Sequence, residues 1–312
     1  MNNENVKVGE VSKVFSLPQL KDGKESSLKK LKERDHISFS QLHAMHTCAF
    51  KHYEAYELGK KDASTIFTIF GTATGVAIEQ YIKNNNKQSW VTYIKTLLKF
   101  VRANIVPEEE LKKKAFKDWC AKQNLSCDQK SYELYCKKVH CKSALRIYKD
   151  LIAYFNNELK DWNVVAFETP LMQPLDDLDI NFKGYIDCVL KHKTEDRYKI
   201  LDFKTCGMGW FKEQRSDTEK LYQVILYKKF WCELNKIERS KVDCAYLLLK
   251  RTPPKNESSI EMFDVTSGDK KINNAEVWML KTLRNIFQGV KVKTPQTCNF
   301  CNCSLKNRRR YF

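Results

Sequence analysis

Six acid-x-Lys tripeptides occur in this chain, beginning at Asp22, Glu110, Asp128, Glu158, Asp202 and Asp269. In so lysine-rich a sequence the tripeptide by itself carries no information. Only Asp202-Phe203-Lys204 falls inside an apolar run, ILDFKT. Burying a carboxylate or an ammonium is costly unless it is paired or bound to metal. Two opposite charges in a predicted strand therefore need a reason. Residues two apart on a strand face the same side, so Asp202 and Lys204 are expected to point together. A structural ion pair is one explanation, and a catalytic site is the other.

Asp187 sharpens that choice. The runs GYIDCVL and RYKILDFKT are separated by the polar stretch HKTEDR, which suits a hairpin loop. Pairing symmetric about that loop sets Asp187 opposite Asp202, with Cβ atoms about 4.5–5.5 Å apart. Carboxylates that close repel, and a divalent cation between them removes the repulsion. Hard oxygen ligands suit Mg²⁺ or Mn²⁺, which can also bridge to a substrate phosphate. Lys204 would then orient an attacking water or stabilise charge developing on the phosphate. Downstream, Gln223 and Tyr227 lie four apart and share a helix face. An amide beside a phenol suits contact with a nucleic-acid backbone or base, although Tyr227 also suits a core position.

The elements that must position these residues follow from periodicity. Residues 1–36 form a charged arm, KDGKESSLKKLKERD. HISFSQLHAMHTCAFKHYEAYELG begins a helix that Ser38 or Ser40 can cap, with Leu42, Met45, Ala49 and Tyr53 at helical spacing. A second helix follows Gly71, so 37–83 are read as N-terminal helices of the core. Residues 84–160 read as a basic helical insertion, interrupted near Pro107 and near 124–128. Within 161–290, VVAFETPLM, DINFKGYIDCVL, RYKILDFKT and KVDCAYLLLK read as strands. A helix spans Asp217 to Leu234, RTPPKNESS is a loop, and NNAEVWMLKTLRNIFQGV is a closing amphipathic helix. Residues 291–312 form a Cys-rich segment. This order indicates an α/β or α+β core.

Composition sets the partners. Lys and Arg outnumber Asp and Glu by 55 to 38, a net charge of +17. Such a surplus favours a polyanion, nucleic acid above all, though a solvated lysine surface would read the same way. No apolar run approaches the roughly 20 residues of a membrane span. The polar, acid-bearing start MNNENVKVGE resembles neither a secretory signal nor a transit peptide, so the cytoplasm, or a host's cytoplasm, is expected. The twelve cysteines are then expected to be reduced thiols. No GxxxxGK[ST] sequence marks a P-loop.

Together these residues resemble the RecB-like branch of the PD-(D/E)XK nuclease superfamily, over roughly 37–82 and 163–303. Its signatures appear in order as Gly184-Tyr185-Ile186-Asp187, Asp202-Phe203-Lys204-Thr205 and Gln223 to Tyr227. The resemblance implies an α/β restriction-endonuclease-like core, a central mixed sheet flanked by helices with a helical insertion. It implies Asp187 and Asp202 as ligands of Mg²⁺ or Mn²⁺, the Phe203 carbonyl as a further ligand, and Lys204 as catalytic. Gln223 and Tyr227 would hold substrate, and Glu168 would be the family's glutamate in the preceding strand. Many members also carry a metal-binding His in a Gly-Thr-x-x-His pattern. Here the stretch is Gly71-Thr72-Ala73-Thr74-Gly75, with Gly75 in the His position. Glu79, one turn on, is the candidate replacement.

Iron–sulfur members place one cysteine after the first helix and three near the C-terminus. Cys48 matches the first, and Cys298, Cys301 and Cys303 match the rest, with the last spacing shorter than usual. Four thiolates suit a [4Fe–4S] cluster or Zn²⁺. The expected function is a metal-dependent DNA nuclease, an exonuclease of phage or CRISPR-associated type serving replication, recombination or repair. Its partners would be single-stranded or end-containing double-stranded DNA and the proteins of those processes. The rivals are a catalytically degenerate nucleic-acid-binding protein of the same fold and a cysteine–metal interaction module.

Overall fold

The computed structural model describes residues 35–60, 66–84, 91, 94–95, 111–175 and 178–290. Residues 1–34 of the arm read at 1–36, the Cys-rich segment 291–312 and much of 84–110 lie outside them. The elements are β1 (His36–Ser38), α1 (Phe39–Thr47), α2 (Ala49–His52) running into a π-helical turn (Tyr53–Glu57), α3 (Ile66–Asn84), α4 (Lys114–Gln123) and α5 (Gln129–Asn157). Then come β2 (Trp162–Leu175), β3 (Ile180–His192), β4 (Tyr198–Cys206), α6 (Lys212–Ser216), α7 (Thr218–Asn235), β5 (Val242–Lys250), β6 (Ile260–Val265) and α8 (Asp269–Phe287).

The strands form one mixed six-stranded sheet in the order β1-β3-β4-β5-β6, with β2 also on β3. β2–β3, β3–β4 and β5–β6 are antiparallel. β1–β3 and β4–β5 are parallel. A parallel neighbour needs a crossover, and α6 and α7 supply the one between β4 and β5. The architecture is α/β, a sheet with helices on both faces. No described helix is long and apolar enough to cross a membrane.

Two strands escape the sequence reading. β1 has only three residues, too few for any period to show, yet it pairs His36–Ser38 with Asn181–Lys183. Ser38 then caps α1, its Oγ accepting the Gln41 N–H at 3.3 Å. The helix expected to run on stops at Thr47 because Cys48 is extended, with φ at −161°. β6, IEMFDV, follows the loop as an edge strand. β2 runs through Pro170 and Pro174. It pairs only with β3, so the missing N–H groups can fall on its open edge at no cost to the ladder.

One face of the sheet packs Phe182, Tyr246 and Leu248 against Leu42, Val224 and Met279 of α1, α7 and α8. The other packs Leu247, Leu249 and Ile260 against Phe70, Phe116, Cys136, Ile147 and Leu151 of α3, α4 and α5. In its described parts, the stretch read as an insertion therefore covers the sheet directly. Cys136 and His140 are buried in that layer, with His140 set edge-on to Phe70 and Tyr135.

β3 creates the opening. β2 lines one of its edges from Ile180 to His192. The other edge is shared, by β1 at Asn181–Lys183 and by β4 at Cys188–Lys191. Gly184 to Asp187 lie in the gap between them. The pleat also slips there: Ile180, Phe182 and Ile186 face the α7 side, and so does Val189, while Cys188 and Leu190 face away. Strict alternation would have put Val189 on the other face.

Candidate active site

Asp202 sits low in β4, 2% exposed, paired in register with Tyr246 of β5. Lys204, two residues on, brings Nζ to 2.7 Å from Asp202 Oδ2. That oxygen has no aligned hydrogen-bond donor, so the approach is a charge contact made off the hydrogen-bonding direction. The carboxylate side chain is 3% exposed and the lysine side chain 33%. The ammonium thus stands at the mouth with the carboxylate beneath it. It also lies 5.9 Å from the centre of the Tyr246 ring.

The β3–β4 ladder ends at Cys188 opposite Leu201. One further step in that register would set Asp187 opposite Asp202, the alignment read from hairpin symmetry. Instead the strands part, and Asp187 Oδ2 accepts the backbone N–H of Phe203 at 2.5 Å. A carboxylate thus substitutes for a strand partner where the pleat slips. The N–H and C=O of one strand residue project from the same edge, so the Phe203 carbonyl also belongs to this gap.

The electrostatics are strained without a cation. Burial, then the charge of Asp202, pushes the Asp187 carboxyl up to about 8, against the opposing pull of the Phe203 N–H and Lys204. Burial likewise raises Asp202, with Lys204 opposing. Burial alone would lower Lys204, but Asp202 and Asp187 outweigh it and hold the ammonium above its ordinary value. Two carboxylates and one ammonium leave a surplus negative charge, so a proton is retained in the pair.

Tyr227 and Gln223 come to the same gap from α7. Gln223 Nε2 donates to Tyr227 Oη at 3.1 Å. The Tyr227 ring lies over Gly184, where an added Cβ would stand 2.7 Å from Cε1. That contact explains a glycine three residues before Asp187. Burial raises the Tyr227 phenol, and both Asp202 and Asp187 add to the shift. Lys220, one turn earlier on α7, and Trp210 in the loop after β4 were missed by the sequence reading. The spacing of three between Lys220 and Gln223 was the available signal.

Other candidates stand further off. Glu168 faces the Asp187 position, between the pairs Phe167–Cys188 and Thr169–Ile186. Its φ of +46° is unusual for a non-glycine residue in mid-strand. Its charge adds to the rise at Asp187. Gly71 brings α3 against β4, a Cβ there meeting Thr205 Oγ1 at 3.1 Å. Gly75 and the half-buried Glu79 follow on the same stripe, and Gly75 has open space around it. Cys48 is a buried free thiol. Cys298, Cys301 and Cys303 lie outside the described residues.

Among the described residues, no three His, Cys, Asp or Glu side chains gather closely enough to hold a metal ion. Asp187 and Asp202 do fit a cation of the Mg²⁺ type, which binds through one or two carboxylates and keeps several waters. Asp202 Oδ2 has no aligned donor and Asp187 retains a proton, so a divalent charge would relieve both. No curated protein matches the sequence. A family model for the PD-(D/E)XK nuclease superfamily matches residues 36–305, from β1 into the Cys-rich segment. On that match, and with a mixed sheet that parts at Asp187, Asp202 and Lys204, the chain belongs to the PD-(D/E)XK nuclease superfamily.

Proposed function

We propose that this chain is a Mg²⁺- or Mn²⁺-dependent deoxyribonuclease, an exonuclease acting from DNA ends in replication, recombination or repair. The observation that carries the reading is the pair Asp187–Asp202 beneath Lys204, with burial and the Asp202 charge pushing the Asp187 carboxyl up to about 8. A divalent cation there would polarise the phosphate and activate a water. The chain's own residues do the rest. Phe203 N–H fixes the Asp187 carboxylate, and the Phe203 carbonyl is a further ligand. Asp202 keeps Lys204 charged, and Lys204 donates to a phosphate oxygen as negative charge grows on it. Gln223 and Tyr227 hold the substrate backbone beside the gap. Glu79 takes the place of the histidine that Gly75 lacks.

Cys48, Cys298, Cys301 and Cys303 hold a [4Fe–4S] cluster in this reading, or Zn²⁺ in its variant. That part of the reading rests on the spacing of these cysteines alone. Of the rivals, Gly75 favours a degenerate nucleic-acid-binding protein of the same fold. Asp202→Ala separates the two: cleavage should vanish while salt-sensitive DNA binding survives. Cleavage at near wild-type rate in that variant would exclude the proposed centre.

A further inference from the structure

Several buried and half-buried lysines around the sheet have acceptors. Lys228 Nζ donates to the Ser267 carbonyl at 2.8 Å and to its hydroxyl at 3.1 Å. Lys229 meets Glu233, Lys250 meets Glu257 and Glu261, Lys199 meets Asp264, and Lys204 meets Asp202. The Lys220 ammonium makes no ion pair or hydrogen bond among the described residues. Its neighbour is the face of Trp210, 3.9 Å from the ring centre. An aromatic face attracts a cation but offers no lone pair to its three donors. Asp217, the N-cap of α7, makes no ion pair with the Lys220 ammonium; its Oδ1 accepts the Lys220 backbone N–H at 3.1 Å.

The surroundings make this more unusual. Trp210 packs against Tyr246 in a tilted contact, 4.7 Å between ring centres, and Lys204 lies over the same Tyr246 ring. The Tyr246 hydroxyl donates to the Lys220 carbonyl at 2.8 Å, tying α7 to the catalytic strands. Burial lowers the proton affinity of Lys220; the Asp217 charge opposes this and the Lys204 charge adds to it. Two ammonium groups are thus held near one another on a shared aromatic base, beside the gap. Only Lys204 contacts a carboxylate directly, while Asp217 acts on Lys220 without pairing with it. An anion is the missing partner.

We propose that Lys220 binds a phosphate of the nucleic-acid substrate adjacent to the one that is cut, with Trp210 holding the ammonium in position. The inference rests on the nuclease reading above. Lys220, Gln223 and Tyr227 lie at spacings of three and four on α7, one face that runs along the gap. Tyr227 covers Gly184 inside the gap, so Lys220 marks where the strand leaves it.

Steady-state cleavage by Lys220→Met and Lys220→Arg tests this on oligonucleotides carrying one methylphosphonate at successive positions. KM of the Met variant should rise about tenfold, the size of one charge-assisted contact, with kcat little changed. Its binding should lose about one unit of salt slope, and Arg should restore most of both. Neutralising one phosphate beside the cut should weaken wild type and leave the Met variant unaffected. An unchanged KM and salt slope in a folded Met variant would overturn the proposal, as would equal methylphosphonate penalties in both proteins. Thermal melting establishes folding, and Lys220→Gln serves if Met does not fold. If wild type binds DNA but never cuts it, the nuclease reading falls while the salt slope still decides Lys220.

Discussion

Asp187→Asn should stabilise the metal-free protein at slightly alkaline pH while abolishing its activity. The Asp187 carboxyl stands at about 8 in the folded chain, against an ordinary value of 3.8. A raised acid pKa makes the folded state hold a proton that the unfolded chain has released. This group's contribution to stability is therefore greatest below about pH 4, falls between pH 4 and 8, and levels off above. Each unit corresponds to about 1.4 kcal/mol, so the full shift bounds the cost at about 6 kcal/mol. The proton is shared with Asp202, and water relaxes around a half-buried group, so a gain on the order of 2–3 kcal/mol at pH 8 is expected for Asn. Asn retains an oxygen for the Phe203 N–H, so the strand contact survives. Urea denaturation with EDTA at pH 5 and pH 8 measures both proteins, and repeating it with Mn²⁺ measures the cation. Wild type should lose more stability from pH 5 to 8 than the variant, and should recover more of it with Mn²⁺. Parallel pH profiles, or equal stabilisation of both proteins by Mn²⁺, would refute the electrostatic argument.

Gly184→Ala drives a Cβ into the buried Tyr227 ring and should cost about 1–3 kcal/mol by overpacking. Gly75→Ala, in open space on α3, should gain up to about 1 kcal/mol, and thermal melts compare the two. Glu79→Gln should lower the cleavage rate by orders of magnitude and raise the metal concentration needed; an unchanged metal titration would return Glu79 to a structural role. Protein purified without oxygen should be brown with about four iron atoms per chain, and Cys48→Ser should remove the iron as fully as Cys298→Ser. A single zinc would keep the thiolate site with another metal, and no metal bound by these thiols would end the idea.

Much of the fold was legible because its signals are local. The apolar runs of β3, β4 and β5 and the helical spacing of α7 and α8 are strong over many residues. The hairpin loop HKTEDR fixed a register that the ladder Cys188–Leu201 reproduces. β1 was illegible because three residues have no period, and it matters because it closes the far side of the gap. The parting of β3 from β4 was also illegible. Alternation predicts a carboxylate facing a carboxylate, while the slipped pleat turns Asp187 sideways onto the Phe203 N–H. Lys220 was hidden for a different reason. Its character comes from Trp210, ten residues away on another element, and no pattern along α7 could reveal that its charge lacks a partner.

The central claim is that Lys204, over the Asp187–Asp202 pair, serves metal-dependent cleavage of DNA. End-labelled single- and double-stranded DNA and RNA, incubated with Mg²⁺ or Mn²⁺ and with EDTA, test it most directly when wild type is run beside Lys204→Ala. The account predicts shortening of DNA from its ends by wild type only when metal is present, and none by Lys204→Ala, although that variant still binds. Cleavage that persists in EDTA, or that Lys204→Ala performs at the wild-type rate, would contradict it.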